Sequence, residues 1–333
     1  MSIKNNNLYI VILKTTKKRL SFNIKNNLLL NLSNTDKTFN YIFIDDIKYD
    51  NISTHFFLKY KYDITKLNKL KNMGNYLIYE PLDMDWCTFK TFKEYYLENQ
   101  NYFNIFDIII CNNKYMAEQM IKLGFSNKLL VNYHEYDEKY KSTNKIYNQV
   151  YYIGDLKKSS FTTKILQKYN IVNLFDFKFV YKSISIHIDY LVNDNLYYTL
   201  HTSTKLSTAL YSNCIFICNR IPVYVELLGD SYEFYLNDDL SNIEEIINKA
   251  QNVLTNKLLY DEYINKYSDV KIKLSPNNIL NEYKNIFLNS INKVILSDND
   301  KVILSDNDKV ILSDNDKVIL SDNDKVILSD NDK

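Results

Sequence analysis

Short, almost continuously apolar runs alternate with longer amphipathic stretches from the start of the chain to about residue 292. In the first half, LYIVIL (8–13), YIFID (41–45), THFFL (54–58), YLIYE (76–80), FDIIIC (106–111) and KLLVNY (128–133) read as strands. Residues 17–31, 64–74 and 114–124 read as helices. In the second of these, Ile64, Leu67, Leu70 and Met73 share one face, and glycines close the second and third. Strands apolar on both faces belong to a parallel sheet covered by helices. A polar stretch, 134–148, reads as a linker. A second series follows: strands VYYIG (150–154), FKFVY (177–181), ISIHI (184–188) and CIFICN (214–219), with helices over 159–169, 203–213 and 242–254. A last helical segment, 276–291, is placed to pack back across both halves.

The reading is therefore an α/β protein with two Rossmann-like domains in tandem and a cleft between them. The first spans 1–140, the second 149–292, and a repeat tail occupies 293–333. The tail is five copies of KVILSDND closed by Lys333. An eight-residue step turns a helix by roughly 800°, so its apolar triplet drifts about 80° per copy and holds no coiled-coil seam. As strands, the VIL triplets can stack into short hairpins or rungs. The Asp-x-Asp steps lack the glycines of a calcium loop. Length modulation, self-association and surface tethering are the roles open to such a tail.

Composition narrows this picture. A hydrophobic content of 46% supplies a sizeable core. Tyr, Asn and Lys are plentiful while Gly, Pro and Trp are scarce, as AT-rich coding produces. The few glycines and prolines that persist against that bias mark places where the backbone or the chemistry requires them. The tail's six Lys and ten Asp carry −4, which leaves about +5 on residues 1–292. That balance favours anionic substrates or membrane surfaces, with possible peripheral contact. No Lys/Arg run interleaved with aromatics supports nucleic-acid binding. Four cysteines (Cys87, Cys111, Cys214 and Cys218) are too few for a disulfide scaffold, and those of CIFIC read as small buried hydrophobes. No apolar run approaches the roughly 18 residues of a membrane span, and LYIVIL is too short for a signal-peptide core. A cytoplasmic location is expected.

Ligands of parallel α/β sheets lie at the carboxyl ends of the strands, which points to residues 198–236. There Ser203 and Thr204 open a helix whose amides favour phosphate, and Lys205 adds a cation. A buried strand, a loop with Arg220 and Pro222, and Glu226 follow. The carboxylate of Glu226 suits ribose or sugar hydroxyls, and it equally suits a helix-start role. Gly154, ending the strand VYYIG, marks either a tight turn or a close approach to phosphate. Each cation also reads as a solvated surface charge. His134 and His187 read as structural.

The pattern K-L-S-T-A-L-x5-I-F-I-x4-I-P-x3-E-L resembles the donor-binding segment of GT-B fold glycosyltransferases, and VYYIGDLKKSS resembles the first strand and turn of the same domain. LIYEPLDMDW, FDIIICNNKYMAEQMIKLG and KLLVNYHEYD are similar to the acceptor domain. The resemblance covers about 1–290. It implies a nucleotide diphosphate sugar donor held by Gly154, Ser203, Thr204, Lys205, Arg220 and Glu226, and a glycan or glycolipid acceptor across the cleft. It implies no cofactor and no bound metal. The chain departs from the pattern in its lack of a glycine-rich diphosphate loop and in Ser212–Asn213, where Gly or Ala is usual. A single Glu stands where retaining members carry a pair, so the stereochemical outcome stays open. Asp83 and Asp85, which follow the strand ending at Glu80, are candidate bases for the acceptor hydroxyl. They also read as a plain loop or as a GT-A type D-x-D metal motif, although a GT-A fold would leave the second α/β series unexplained. A non-catalytic nucleotide or sugar binder, and an interaction protein acting through its tail, are the alternative functions.

Overall fold

The computed structural model describes residues 8–12, 20–47, 49, 52–59, 61–82, 91–125, 128–136, 138, 146–154, 161–174, 184–191, 201–296, 311–312 and 318–319. The strand expected over 177–181, and Asp83 and Asp85, lie outside them.

Two parallel sheets carry the fold. The first contains β1 (Leu8–Ile12), β2 (Phe39–Phe43), β3 (Thr54–Leu58), β4 (Tyr76–Glu80), β5 (Ile108–Cys111) and β6 (Lys128–Val131), in the order β2-β1-β3-β4-β5-β6. The second contains β7 (Ile146–Ile153), β8 (Ile171–Leu174), β9 (Ile184–Asp189), β10 (Ile215–Asn219) and β11 (Tyr235–Leu236), in the order β11-β10-β9-β7-β8. All strand pairs in both sheets are parallel. Strand order therefore reverses between β1 and β3 in one sheet and between β7 and β9 in the other, and these reversal points are where such sheets open a crevice. Strands β3, β9 and β10 are buried along their whole length, as expected of strands covered on both faces.

Helices α1 (Leu20–Thr35), α2 (Ile64–Asn72), α3 (Phe92–Phe103) and α4 (Lys114–Lys122) accompany the first sheet. Their ends are written locally. The Asp63 carboxylate accepts from Thr65 N and Lys66 N at the start of α2, Thr91 and Glu94 form a capping box on α3, and Asn113 caps α4 through Met116 N. Helices α5 (Thr163–Lys168), α6 (Thr204–Tyr211), α7 (Pro222–Leu228), α8 (Ile243–Thr255), α9 (Lys257–Lys266) and α10 (Ser268–Lys273) belong to the second series. Asn213 turns the chain from α6 into β10 at φ +53, a left-handed position that asparagine tolerates better than most residues.

The last helix, α11 (Pro276–Leu296), returns to the first sheet. Its Phe287 packs on Phe39 of β2 and Phe56 of β3, with ring centroids 5.8 and 5.2 Å apart. One apolar core consequently runs from the α1 face of the first sheet into the whole of the second, while a separate core lies under α2, α3 and α4. In the repeat, helix α11 extends through KVIL of the first copy. The third and fourth copies instead contribute the antiparallel strands β12 (Ile311–Leu312) and β13 (Val318–Ile319). Among the described residues, no helix is long and apolar enough to cross a membrane.

Candidate functional site

The carboxyl edges of the two sheets face each other. Asn113, just past β5, donates from its side chain to His201 O at 3.3 Å. His134, past β6, exchanges two hydrogen bonds with Ser203 Oγ, at 2.9 and 3.0 Å, and Ser207 Oγ donates to Glu135 O at 3.2 Å. The start of α6 is thus docked against the first half of the molecule.

At the reversal point of the second sheet, β7 pairs with β9 so that Tyr152 lies opposite Ile188. Asp189 is the next residue outward on β9, and Gly154 follows Ile153 just past the end of β7. Asp189 is buried, and its Oδ1 lies 2.5 Å from Lys205 Nζ on α6. Tyr224 of α7 donates its hydroxyl to Asp189 Oδ2 at 2.7 Å, and His201 Nε2 stands 3.4 Å from the same oxygen and 3.0 Å from Tyr224 Oη. The Lys205 ammonium sits 4.8 Å from the centre of the Tyr152 ring. Burial alone would push the Asp189 carboxyl up. Lys205, and after it His201, outweigh that and hold it far below the ordinary carboxylate range. Lys205 is correspondingly raised, its burial being outweighed by Asp189 and then Tyr152. His187, one strand position before Ile188, is driven down to about 3 by burial and by Lys205, which keeps it neutral.

Gly154 closes this cluster for a stereochemical reason. Its φ is +150, and a Cβ there would stand 3.0 Å from Tyr152 Oη and 3.6 Å from Lys205 Nζ. A side chain would fill the space between the end of β7 and the lysine. Helix α6 begins beside it, and its N-cap residue Ser203 makes no side-chain cap bond because its hydroxyl is committed to His134. Ser203 therefore offers no side-chain acceptor to the first-turn amides of α6.

The structure brings Gly154, Ser203, Thr204 and Lys205 together. Arg220 and Glu226 are engaged elsewhere. The Arg220 guanidinium bonds to Asp230 Oδ1 and O, and it lies 4.7 Å from the Tyr235 ring centre. It borders a cavity of about 320 Å³ with Tyr235, Asn237 and Asp238 at the end of β11. The Glu226 carboxylate reaches across to α4, where it accepts from Lys114 N and Tyr115 N, both at 3.0 Å, and from Tyr133 Oη at 3.2 Å. It acts there as a second acceptor at the α4 N-terminus, and burial raises its pKa. Asp189, His201, Tyr152 and Tyr224 complete the cluster without having been singled out in the sequence. The position of Asp189 at the last residue of an apolar strand was the available signal.

The first sheet carries a second buried cluster. Lys25 of α1 is fully buried, 2.9 Å from Glu135 Oε2 and 3.6 Å from Glu80 Oε1, and donates to Tyr133 O at 3.1 Å. Tyr283 of α11 donates its hydroxyl to Glu80 Oε2. Burial raises the pKa of Glu80. For Glu135 burial acts the same way but is outweighed by Lys25 and then His134, so its pKa is lowered.

No family model matches the sequence, and no curated protein matches it. Solved structures do match in fold. HepE of Anabaena in complex with UDP superposes with a TM-score of 0.56 at 8% identity, over 85% of this chain and 100% of that one. HepE in complex with UDP-glucose gives 0.53 at 8% identity, over 87% and 99%. The pneumococcal O-GlcNAc transferase GtfA, in complex with UDP and GlcNAc, gives 0.48 at 8% identity over 72% of this chain, which spans 57% of the GtfA chain. The chain thus has an α/β fold of two parallel sheets that loosely resembles the GT-B glycosyltransferases.

Proposed function

We propose that this chain is a glycosyltransferase that moves a sugar from a nucleotide diphosphate donor to an acceptor hydroxyl, in glycan or glycoconjugate synthesis in the cytoplasm. One observation carries the reading: a glycine whose Cβ would crowd Tyr152 and Lys205, that lysine, and a helix start whose N-cap side chain is committed elsewhere meet at the reversal point of the second sheet, facing the first. Residues 149–292 would hold the donor, and 1–140 would present the acceptor, a glycan or a glycolipid reached by peripheral contact with a membrane. Lys205 and the α6 amides would offset the charge of the departing diphosphate, so no metal is required. Asp189 has a part in this, because it holds the lysine tip in place while leaving its side chain 18% exposed.

HepE was solved with UDP and with UDP-glucose, which makes these the first ligands to try. A thermal-shift screen of UDP, GDP, ADP and CMP sugars tests the reading. A ligand at one hundred times its Kd stabilises by roughly 2.7 kcal/mol. A stabilising nucleotide sugar that also releases free nucleotide supports the enzyme. The absence of both across the panel would sink it. Binding without turnover is the second reading. The closed Lys205–Asp189 pair favours it, since a lysine already neutralised offers less net charge to a diphosphate.

A further inference from the structure

Of the four histidines, His55, His134 and His187 are buried, at 1%, 2% and 0% exposure. The side chain of His201 is 17% exposed, close to the 18% of Lys205, and both stand on the buried carboxylate of Asp189. The hydrogen-bond pattern places a proton on Nε2. Tyr224 has a single hydroxyl proton, which it gives to Asp189 Oδ2. His201 Nε2, 3.0 Å from Tyr224 Oη and 3.4 Å from Asp189 Oδ2, therefore faces two acceptors and carries the proton. Nδ1 makes no hydrogen bond among the described residues, and in the neutral ring it carries the lone pair. A carboxylate behind one ring nitrogen, with the other nitrogen unbonded among the described residues on a side chain 17% exposed, is the arrangement that holds an imidazole ready to accept a proton. The backbone of His201 is tied to Asn113, so the ring stands on the seam where the two halves meet.

We infer that His201 is the general base that takes the proton from the acceptor hydroxyl, with Asp189 and Tyr224 as its positioning residues. This rests on the glycosyl-transfer reading above and goes beyond it by naming the group that activates the acceptor. As the acceptor oxygen bonds to the anomeric carbon, its proton passes to His201 Nδ1. The bond from that carbon to the diphosphate oxygen breaks, and its electron pair leaves with the nucleotide beside Lys205. The imidazolium, held against Asp189, then returns its proton to solvent. Among the described residues, the titratable groups facing the ring are Asp189 of β9, Tyr224 of α7 and, across Asp189, Lys205 of α6.

The test uses the full chain and whichever nucleotide sugar it turns over in the panel. In His201→Gln the amide keeps a donor toward Asp189 and Tyr224 but supplies no base. Turnover should fall by about 10²–10⁴-fold while UDP binds within about threefold of the parent value. In His201→Ala, added imidazole should restore part of the lost rate, which a merely structural histidine would not allow. A His201→Gln chain that turns over within about threefold of the parent overturns the inference. So does one that loses UDP binding together with turnover, because the residue is then structural. A parent chain that neither binds nor turns over any donor fails the donor reading itself, and the base falls with it.

Discussion

Each sheet of this molecule ends in a buried lysine–carboxylate cluster, and the two have been put to different uses. At the first sheet, Lys25 is fully enclosed between Glu80, Glu135 and the ring of Tyr283, and α11 seals it from outside. At the second sheet, Lys205 and His201 share Asp189 but remain partly exposed, at 18% and 17% of their side chains, and Gly154 places no side chain against them. Similar chemistry thus makes a fastening in one place and a candidate site in the other. What separates them is the lid, a returning helix over the first and a missing side chain over the second.

The largest effect that would test this contrast is expected from Lys25→Met, which strands two buried carboxyl groups. It should destabilise the fold by about 3–5 kcal/mol in urea unfolding. If Lys205→Met costs as much and leaves nucleotide binding untouched, the two clusters are both fastenings. The expected result for Lys205→Met is instead a ten- to hundredfold loss of UDP-sugar affinity by calorimetry, about 1.5–3 kcal/mol for a hydrogen bond to a charged group. Tyr283→Phe, which removes the hydroxyl that ties α11 to Glu80, should cost about 1.5 kcal/mol in the same unfolding experiment, with UDP affinity unchanged. Glu226→Gln should cost about 0.5–1 kcal/mol, as expected for losing a carboxylate at a helix N-terminus.

The smallest and most diagnostic difference is in pH dependence. The lowered carboxyl of Asp189 contributes stability that is present above the ordinary aspartate value of about 4 and is lost as pH falls towards its folded value. Glu80, whose pKa is raised by burial, contributes stability that is present below the ordinary glutamate value and lost as pH rises through its folded value. Urea midpoints measured from pH 3 upward should therefore show Asp189→Asn flattening the acid limb, and Glu80→Gln removing a loss on the rising side. Equal profiles for the two variants would erase the distinction.

Much of the fold was legible in the strand and helix periods: six strands of the first sheet and three of the second stand where apolar runs announced them, with ends shifted by a few residues. Helix α3 went unread although Thr91 and Glu94 supply its capping box. Its buried face is Phe92, Tyr95, Tyr96, Tyr102 and Phe103, residues whose propensity points towards strand until helical spacing is weighed. Strands β8 and β11, of four and two residues, and helices α9 and α10 were missed as well. At the site, Gly154 and Lys205 were readable because strand ends and helix starts are local features. The partners of Glu226 and Lys205 were not. Glu226 meets α4 from 111 positions away, and Asp189 lies 16 positions before the lysine it holds, at the end of the preceding strand. Such pairings are set by topology and leave no mark in local sequence.

The return of α11 has a consequence for synthesis on the ribosome. Glu80 waits for a tyrosine 203 positions downstream, and Phe56 for a phenylalanine from the same late segment. At about 5–20 residues per second, the nascent first half spends some 10–40 s with a charged, aromatic groove uncovered. During that interval it is the portion of the chain most in need of a chaperone's shelter.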